Sequence, residues 1–415
     1  MESLSVDIQT LSAELRRLAE FSDAPAPAVT RVMLSDVDLA ARKHLTGLLE
    51  AAGLAVRVDG AGNVFARWIG ADDQLPAVAT GSHCDAIPHS GMFDGTVGLL
   101  GGLEAIRALR RAGLQPKRSI ELILFTSEEP TRYGVGCLGS RLMSGQLSAE
   151  SAGKLTDADG VSFDALRRRS GGRGSLAEVA LPRGHYRGFV ELHIEQGPLL
   201  EARQSPIGVV TAIAAPAALR VTYTGEGGHA GAVLMPDRRD ALLPAAKLAL
   251  AVDRAARTLG GPDTVATTGV LDVHPRAINS IPSRAYLEID VRDIVRERRD
   301  RVLDEIKRQA QALGDEHQQA TSIELINADP PASCDPELIA TIERSAAAAG
   351  LGAERMISRA YHDTLFMAGI CPVSMIFIPC RGGVSHRPDE YASPEAIAAG
   401  VEVLARALAA LACDR

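Results

Sequence analysis

Five short runs concentrate imidazoles and carboxylates: Gly81-Ser82-His83-Cys84-Asp85, Phe93-Asp94-Gly95, Ser127-Glu128-Glu129, His193-Ile194-Glu195 and Ser385-His386. These residue types can hold two divalent cations around a water, so the chemistry they point to is metal-assisted hydrolysis. His83 and Asp85 stand two apart at a strand end, which puts them on one face. The Asp85 carboxylate can then orient a metal-binding imidazole. Asp94 opens a helix, where a carboxylate is favoured, and can bridge two cations. Glu128 and Glu129 are adjacent and point apart in an extended or turning segment. One can ligate metal while the other takes a proton from a water the cations activate. Each run alone is bland: His-x-Asp is mostly structural and Glu-Glu mostly solvated. The conjunction, and its placement at strand ends, carries the reading.

Two further residues stand apart. His229, in Gly227-Gly228-His229-Ala230-Gly231, reads either as a surface turn or as a donor to a developing oxyanion, brought from another domain or subunit. Arg292, in Asp290-Val291-Arg292-Asp293, could fork onto a substrate carboxylate. A pair with Asp290 or Asp293 is the simpler expectation.

The elements that position these groups follow from periodicity. Ile8, Leu11, Leu15, Leu18 and Phe21 predict a helix over 6–21, and a second helix covers 36–52 before Gly53. Val64–Ala66 and Ala77–Thr80 are strand signals, the latter ending at the His83 run. A long helix over 94–112 follows, then a buried strand from Ile120 to Phe125 that delivers Glu128 and Glu129. This alternation predicts an α/β domain with functional groups at the carboxyl ends of strands. Residues 145–188, polar and Gly/Arg-rich, read as a surface excursion with a short helix near 162–169. From about Ala218 the order strand (219–224), helix (238–259), strand (264–274), strand (285–294), helix (296–313), strand (322–326) is that of a ferredoxin-like split unit. It predicts an inserted α+β domain over 213–330, flanked by catalytic segments 1–212 and 331–415. The second segment would carry a helix at 336–349, the strand Val373–Ile378 and a closing helix at 394–412.

Composition narrows the class. At 415 residues two domains are expected. A net charge of −8 and 4% aromatic residues give no support for a nucleic-acid partner. No apolar stretch is expected to reach membrane-spanning length, and the N-terminus lacks a secretion signal. The six cysteines lack paired spacing and read as reduced thiols in a cytoplasmic protein.

These runs, with His193-Ile194-Glu195-Gln196-Gly197-Pro198, Gly228-His229-Ala230-Gly231 and Asn279-Ser280-Ile281-Pro282, resemble the amidohydrolase branch of the dinuclear metal-dependent aminoacylase and carboxypeptidase family. That branch holds N-carbamoyl-L-amino acid hydrolases, allantoate amidohydrolases and ureidoglycolate amidohydrolases. The resemblance runs from about residue 7 to the end. It implies a catalytic domain with a mixed central sheet flanked by helices, and an inserted domain acting as lid and homodimer contact. It implies His83, Asp94, Glu129, His193 and His386 as ligands of two divalent metals, Mn²⁺ favoured over Zn²⁺, Ni²⁺ or Co²⁺, with Asp94 bridging. Glu128 would be the base and Asp85 the clamp on His83. Gln196, His229, Asn279, Arg292, Tyr361, His362 and Gly382 would meet substrate, His229 across a dimer. Within the branch, Asp85-Ala86-Ile87-Pro88, Glu129-Pro130-Thr131-Arg132 and Ser358-Arg359-Ala360-Tyr361-His362-Asp363 are most similar to the ureidoglycolate amidohydrolases. The implied reaction is hydrolysis of a small ureido substrate, (S)-ureidoglycolate, to glyoxylate, ammonia and CO₂. N-carbamoyl-L-amino acids and allantoate are the alternatives. A dipeptidase or a non-catalytic binding protein fits the motifs less well.

Overall fold

The computed structural model describes residues 4–413. They form two compact units, one of residues up to 211 with 334–358 and 362 onward, the other of residues 212–333 with 359–361.

At the centre of the first unit four strands run parallel, in the order Val373–Ile378, Tyr186–Ile194, Ala77–Ser82, Ile120–Leu124. Antiparallel strands extend the sheet on both sides: Ile207–Ile213 beside Val373–Ile378, and Val64–Trp68 then Ala55–Val58 beyond Ile120–Leu124. The sheet is therefore mixed. Its central strands are buried at nearly every position, as in a sheet covered on both faces. Ile120–Leu124 and Val373–Ile378 are buried at every position. The helix Thr96–Arg111 lies against Ala77–Ser82 and Tyr186–Ile194. Val97, Leu100, Leu103, Ile106 and Leu109 are buried on it, and so are Leu99, Ala105 and Ala108.

Two expectations need correction. The closing helix, Pro394–Cys413, is long and apolar enough to cross a membrane by length and composition, contrary to the reading that no stretch reaches that length. It is instead a core helix, packed on Thr96–Arg111 and Val373–Ile378 with Ile397, Val401, Leu404, Leu408 and Leu411 buried. Each such side chain contributes about 1.5–3 kcal/mol relative to exposure. Residues 145–188 are also more than a surface excursion. Beside the expected helix, Phe163–Arg169, they form a second one, Ala149–Lys154. Ala152, Phe163, Leu176, Val179 and Tyr186 from this stretch join the core around Phe125 and Phe189. The polar composition conceals a few apolar anchors.

The second unit has strands Ala215–Thr224, Val265–His274, Arg284–Asp293 and Ala320–Ala328 and helices Leu242–Leu259 and Arg296–Glu316. Its sheet order is Val265–His274, Arg284–Asp293, Ala215–Thr224, Ala320–Ala328, antiparallel throughout. Alternate residues point to one face. Ala217, Leu219, Val221 and Tyr223 join Ala285, Leu287, Ile289 and Val291 against Leu248, Val252, Val302 and Ile306 of the helices. The other face is polar, with Arg220 paired to Glu288 and Glu324.

Candidate metal centre

All four parallel strands of the first unit bring a member of the site to their carboxyl ends: His83 after Ala77–Ser82, Glu128 and Glu129 after Ile120–Leu124, His193 at the end of Tyr186–Ile194, and His386 in the loop after Val373–Ile378. Asp94 precedes the helix Thr96–Arg111, and its two oxygens face different partners. Oδ1 lies 3.2 Å from His193 Nε2 and 3.6 Å from His83 Nε2. Oδ2 lies 3.1 Å from His386 Nε2. Glu129 Oε1 completes that second group, 3.3 Å from the same nitrogen. Two triads of ligand atoms result, His83–Asp94–His193 and Asp94–Glu129–His386, each spanning no more than 4.8 Å. Asp94 is common to both.

The donor chemistry fits two divalent cations. His83 Nδ1 is 3.0 Å from the main-chain oxygen of Asp85, and His193 Nδ1 is 2.9 Å from that of Ile194. Donation there leaves Nε2 of each ring unprotonated for a metal, that of His193 accepting from the Gly95 N–H at 3.2 Å. Imidazoles and hard carboxylate oxygens without a thiolate suit Mn²⁺ as well as Zn²⁺. A third group, Glu191–His193–His362, differs. Both Glu191 oxygens already accept hydrogen bonds, one from Ser82 Oγ at 2.8 Å and the other from the Thr364 hydroxyl and main-chain N–H.

The backbone around the centre is held in place. Gly95 has φ +68°, and a Cβ there would meet the His83 ring at 2.4 Å. Only glycine lets the Asp94 loop turn this close to the imidazole. Ser127, Gln196 and His386 also have positive φ, near +57°, +55° and +59°. Such strain in non-glycine residues persists where surrounding structure enforces it, as at functional sites. The Asp85 carboxylate accepts from the N–H groups of Glu128 (3.2 Å) and Glu129 (3.0 Å). Its nearest oxygen is 3.7 Å from His83 Nδ1. Asp85 thus meets the His83 ring twice, by its carboxylate at ion-pair distance and by its main-chain carbonyl at hydrogen-bond distance, and the same carboxylate fixes the turn carrying both glutamates.

Two buried arginines brace the same strand ends from the N-terminal segment. Arg31 donates to the carbonyls of Leu18, Phe21 and Cys84. Arg42 donates to Asp38, Gly62 and Phe125, and the Cys84 thiol points at Asp38. Asp38 and Arg42, four apart on one helix, thereby tie the His83 strand end to the Glu128 strand end.

The charges interact strongly. Burial pushes Asp94 up, but hydrogen bonds from His193, His386 and His83 outweigh it and hold the carboxyl well below its usual range. The same bonds to Asp94, and then Glu129, lift His386 to about 11. Burial lowers His83, yet Glu128 and Asp94 more than reverse this. Glu128 sits well above the usual carboxyl range, mainly through burial and then through Glu129, Asp363 and Asp94. A carboxylate raised in this way is suited to proton transfer near neutral pH. Its Oε2 is 3.8 Å from His83 Nε2, and its Oε1 faces the Cys137 thiol at 3.7 Å.

The expected substrate contacts separate into two groups. In the first unit, Gln196 Nε2 donates to Asp94 Oδ2 (2.9 Å) and lies 3.2 Å from Ser385 Oγ, so it already engages the shared carboxylate. His362 is buried, its ring tilted 58° to that of His193 with the centroids 4.5 Å apart, and its Nε2 lies 3.1 Å from Ser358 Oγ. It packs directly against a member of the first triad. Gly382, exposed at φ +62°, donates its N–H to Glu201. In the second unit, His229 is exposed, its Nδ1 accepting from Gly231 N–H. Asn279 is exposed as well, its carbonyl accepting from Ala230 N–H. Arg292 forks onto Asp290 at 2.9 and 3.0 Å and donates to the Arg359 carbonyl, as the simpler expectation had it. Tyr361 is half-buried. Sequence reasoning missed Glu390, Glu191, Arg31, Asp38 and Arg42. Of these, only Asp38–Arg42 offered a local signal, opposite charges at i,i+4.

Residues 79–410 match the model of Peptidase family M20/M25/M40. Ureidoglycolate hydrolase of Arabidopsis thaliana is 52% identical over 419 residues, covering 99% of this chain and 88% of that protein. N-carbamoyl-L-amino-acid amidohydrolase of Paenarthrobacter aurescens is 36% identical, covering 97% of this chain and 98% of that protein. Among solved structures, the crystal structure of AtUAH in complex with glyoxylate matches with a TM-score of 0.90 at 52% identity, covering 99% of both chains. With the matched segment spanning every member of the two triads, the chain belongs to peptidase family M20/M25/M40 and is a metal-dependent hydrolase.

Proposed function

We propose that this chain hydrolyses the ureido C–N bond of (S)-ureidoglycolate with two Mn²⁺ ions. The observation that carries the substrate is 52% identity, over 99% of the chain, to a relative named for that reaction. The carbamoyl amino acid relative stands at 36%. His83, Asp94 and His193 would hold one ion, and Asp94, Glu129 and His386 the other. Bound there, the ions would polarise the ureido carbonyl and acidify a water. Glu128, buried at the same strand end, takes the proton of that water and returns it to the leaving nitrogen. Asp85 keeps Glu128 in place through its main-chain N–H. Cleavage consumes one water and releases CO₂, ammonia and 2-hydroxyglycine, which loses a second ammonia to give glyoxylate.

For the second unit the proposed roles are lid and homodimer contact, with His229, Asn279, Arg292 and Tyr361 as its substrate-facing groups. Arg292 has N–H groups left beyond its fork on Asp290, enough to meet a substrate carboxylate. The six free cysteines support a cytoplasmic setting.

The test is ammonia release by the Mn²⁺-loaded protein from (S)-ureidoglycolate, allantoate and a panel of N-carbamoyl-L-amino acids. A kcat/KM highest for ureidoglycolate is expected. Turnover of a carbamoyl amino acid without ammonia from ureidoglycolate would sink the substrate assignment.

A further inference from the structure

The shared carboxylate is held from behind by a residue that takes no part in the hydrolytic steps. Glu390, four residues after His386 and 4% exposed, accepts through Oε1 from the N–H groups of Phe93 (2.8 Å) and Asp94 (3.0 Å). Its Oε2 is 2.8 Å from Ser385 Oγ, which also lies 3.1 Å from Asp94 Oδ2. Gln196 Nε2 donates to that same Asp94 oxygen. A serine hydroxyl has one proton, so Ser385 donates to one carboxylate at a time. The loop before Asp94 runs hard against this side chain: a Cβ on Gly91 would lie 2.4 Å from the Glu390 Cβ. Glu390 therefore touches the main chain that sets Asp94 and the serine adjoining His386. The first carries the residue common to both triads, and the second adjoins a member of the Asp94–Glu129–His386 triad.

We propose that Glu390 is a positioning residue for the dinuclear centre, fixing the Phe93-Asp94 main chain and, through Ser385, the His386 loop. Asp94 then turns one oxygen to each histidine set. The inference rests on the reading of Asp94 as the shared ligand. A purely structural Glu390 would affect thermal stability and leave the metal affinities of the folded protein unchanged.

The test titrates metal-free protein with Mn²⁺ by calorimetry and follows the Mn²⁺ EPR spectrum. Wild type should bind two equivalents with an exchange-coupled signal. Glu390→Ala should weaken the second step by about 10–100-fold and convert the signal at one equivalent or more toward that of isolated ions. Its kcat should fall while KM stays within about twofold. Glu390→Gln keeps an oxygen for both N–H groups and should restore most of the affinity and the coupled signal. Ser385→Ala removes only the bridge and should give a smaller loss than Glu390→Ala. Wild type binding a single equivalent would overturn the shared-ligand reading itself. Two equivalents in wild type, with unchanged affinities in a folded Glu390→Ala, would overturn the positioning role alone. Should Glu390→Ala not fold, Ser385→Ala decides, and an affinity equal to wild type overturns the role.

Discussion

In the first unit His83, Asp94, Glu129 and His193 are buried and His386 is exposed, and each of the five faces another at 3.1–3.6 Å. In the second unit His229, in the short strand Gly228–His229, and Asn279, on a turn, stand exposed, beside Ile278, whose side chain is wholly exposed. The difference follows from what each group must do. Metal ligands need fixed geometry before the ion arrives, and strand ends of a parallel sheet, braced by Arg31, Arg42 and Asp85, supply it. The proposed substrate contacts lie in or beside loops, which can adjust. Substitutions in the first unit should therefore act on metal and chemistry, and those in the second on substrate binding.

The largest effect is expected from Glu128→Gln. Loss of a general base should lower kcat by about 10²–10⁴-fold with both metals retained, measured by steady-state kinetics beside metal analysis. Loss of metal with it would make Glu128 a ligand and blur the division between base and ligands. Asp85→Asn comes next, because an amide cannot accept both glutamate N–H groups as two carboxylate oxygens do. Metal affinity or kcat should drop by about 10–100-fold, and an unchanged protein would show that the turn holds itself.

A third prediction concerns protons. His386 is held at about 11 by Asp94 and Glu129, and His83 is also raised. The His386 ring therefore carries a proton at pH 7, and metal must displace it. Binding should therefore release protons and strengthen as pH rises, by about tenfold per pH unit for each proton released. Calorimetry in buffers of different ionisation enthalpy counts the protons, and a count of zero contradicts the charge state assigned to the ring. The smallest effect is expected in the second unit. Asn279→Ala should raise KM by about 2–10-fold, the worth of one hydrogen bond, with metal content untouched. A lost metal there would erase the contrast between the units.

The gathering of His83, Asp94, Glu129, His193 and His386 was legible in the sequence because the proposed chemistry restricts which residue types can serve, and because the runs fall where strands end. The two-residue alternation around Leu219 and Leu287 likewise made the second unit's strands visible. What supports the ligands was not legible. Glu390 reaches Asp94 across 296 residues, and Arg42 reaches Phe125 across 83, so no local period records either contact. Asp85 was read as supporting His83, but its bonds to the Glu128 and Glu129 N–H groups span 43 and 44 residues, and no local pattern records them. Short elements such as Leu138–Ser144 and Ile207–Ile213 carry too few residues to establish a period. The apolar anchors of 145–188 were hidden among glycines and arginines.

The central claim is that Asp94 is shared between two ions. Anomalous diffraction from crystals of the Mn²⁺-loaded protein tests it most directly. Two peaks about 3.5–4 Å apart are predicted, one beside Oδ1 with His83 and His193, the other beside Oδ2 with Glu129 and His386. A single peak, or a second ion lying away from Asp94, would contradict it.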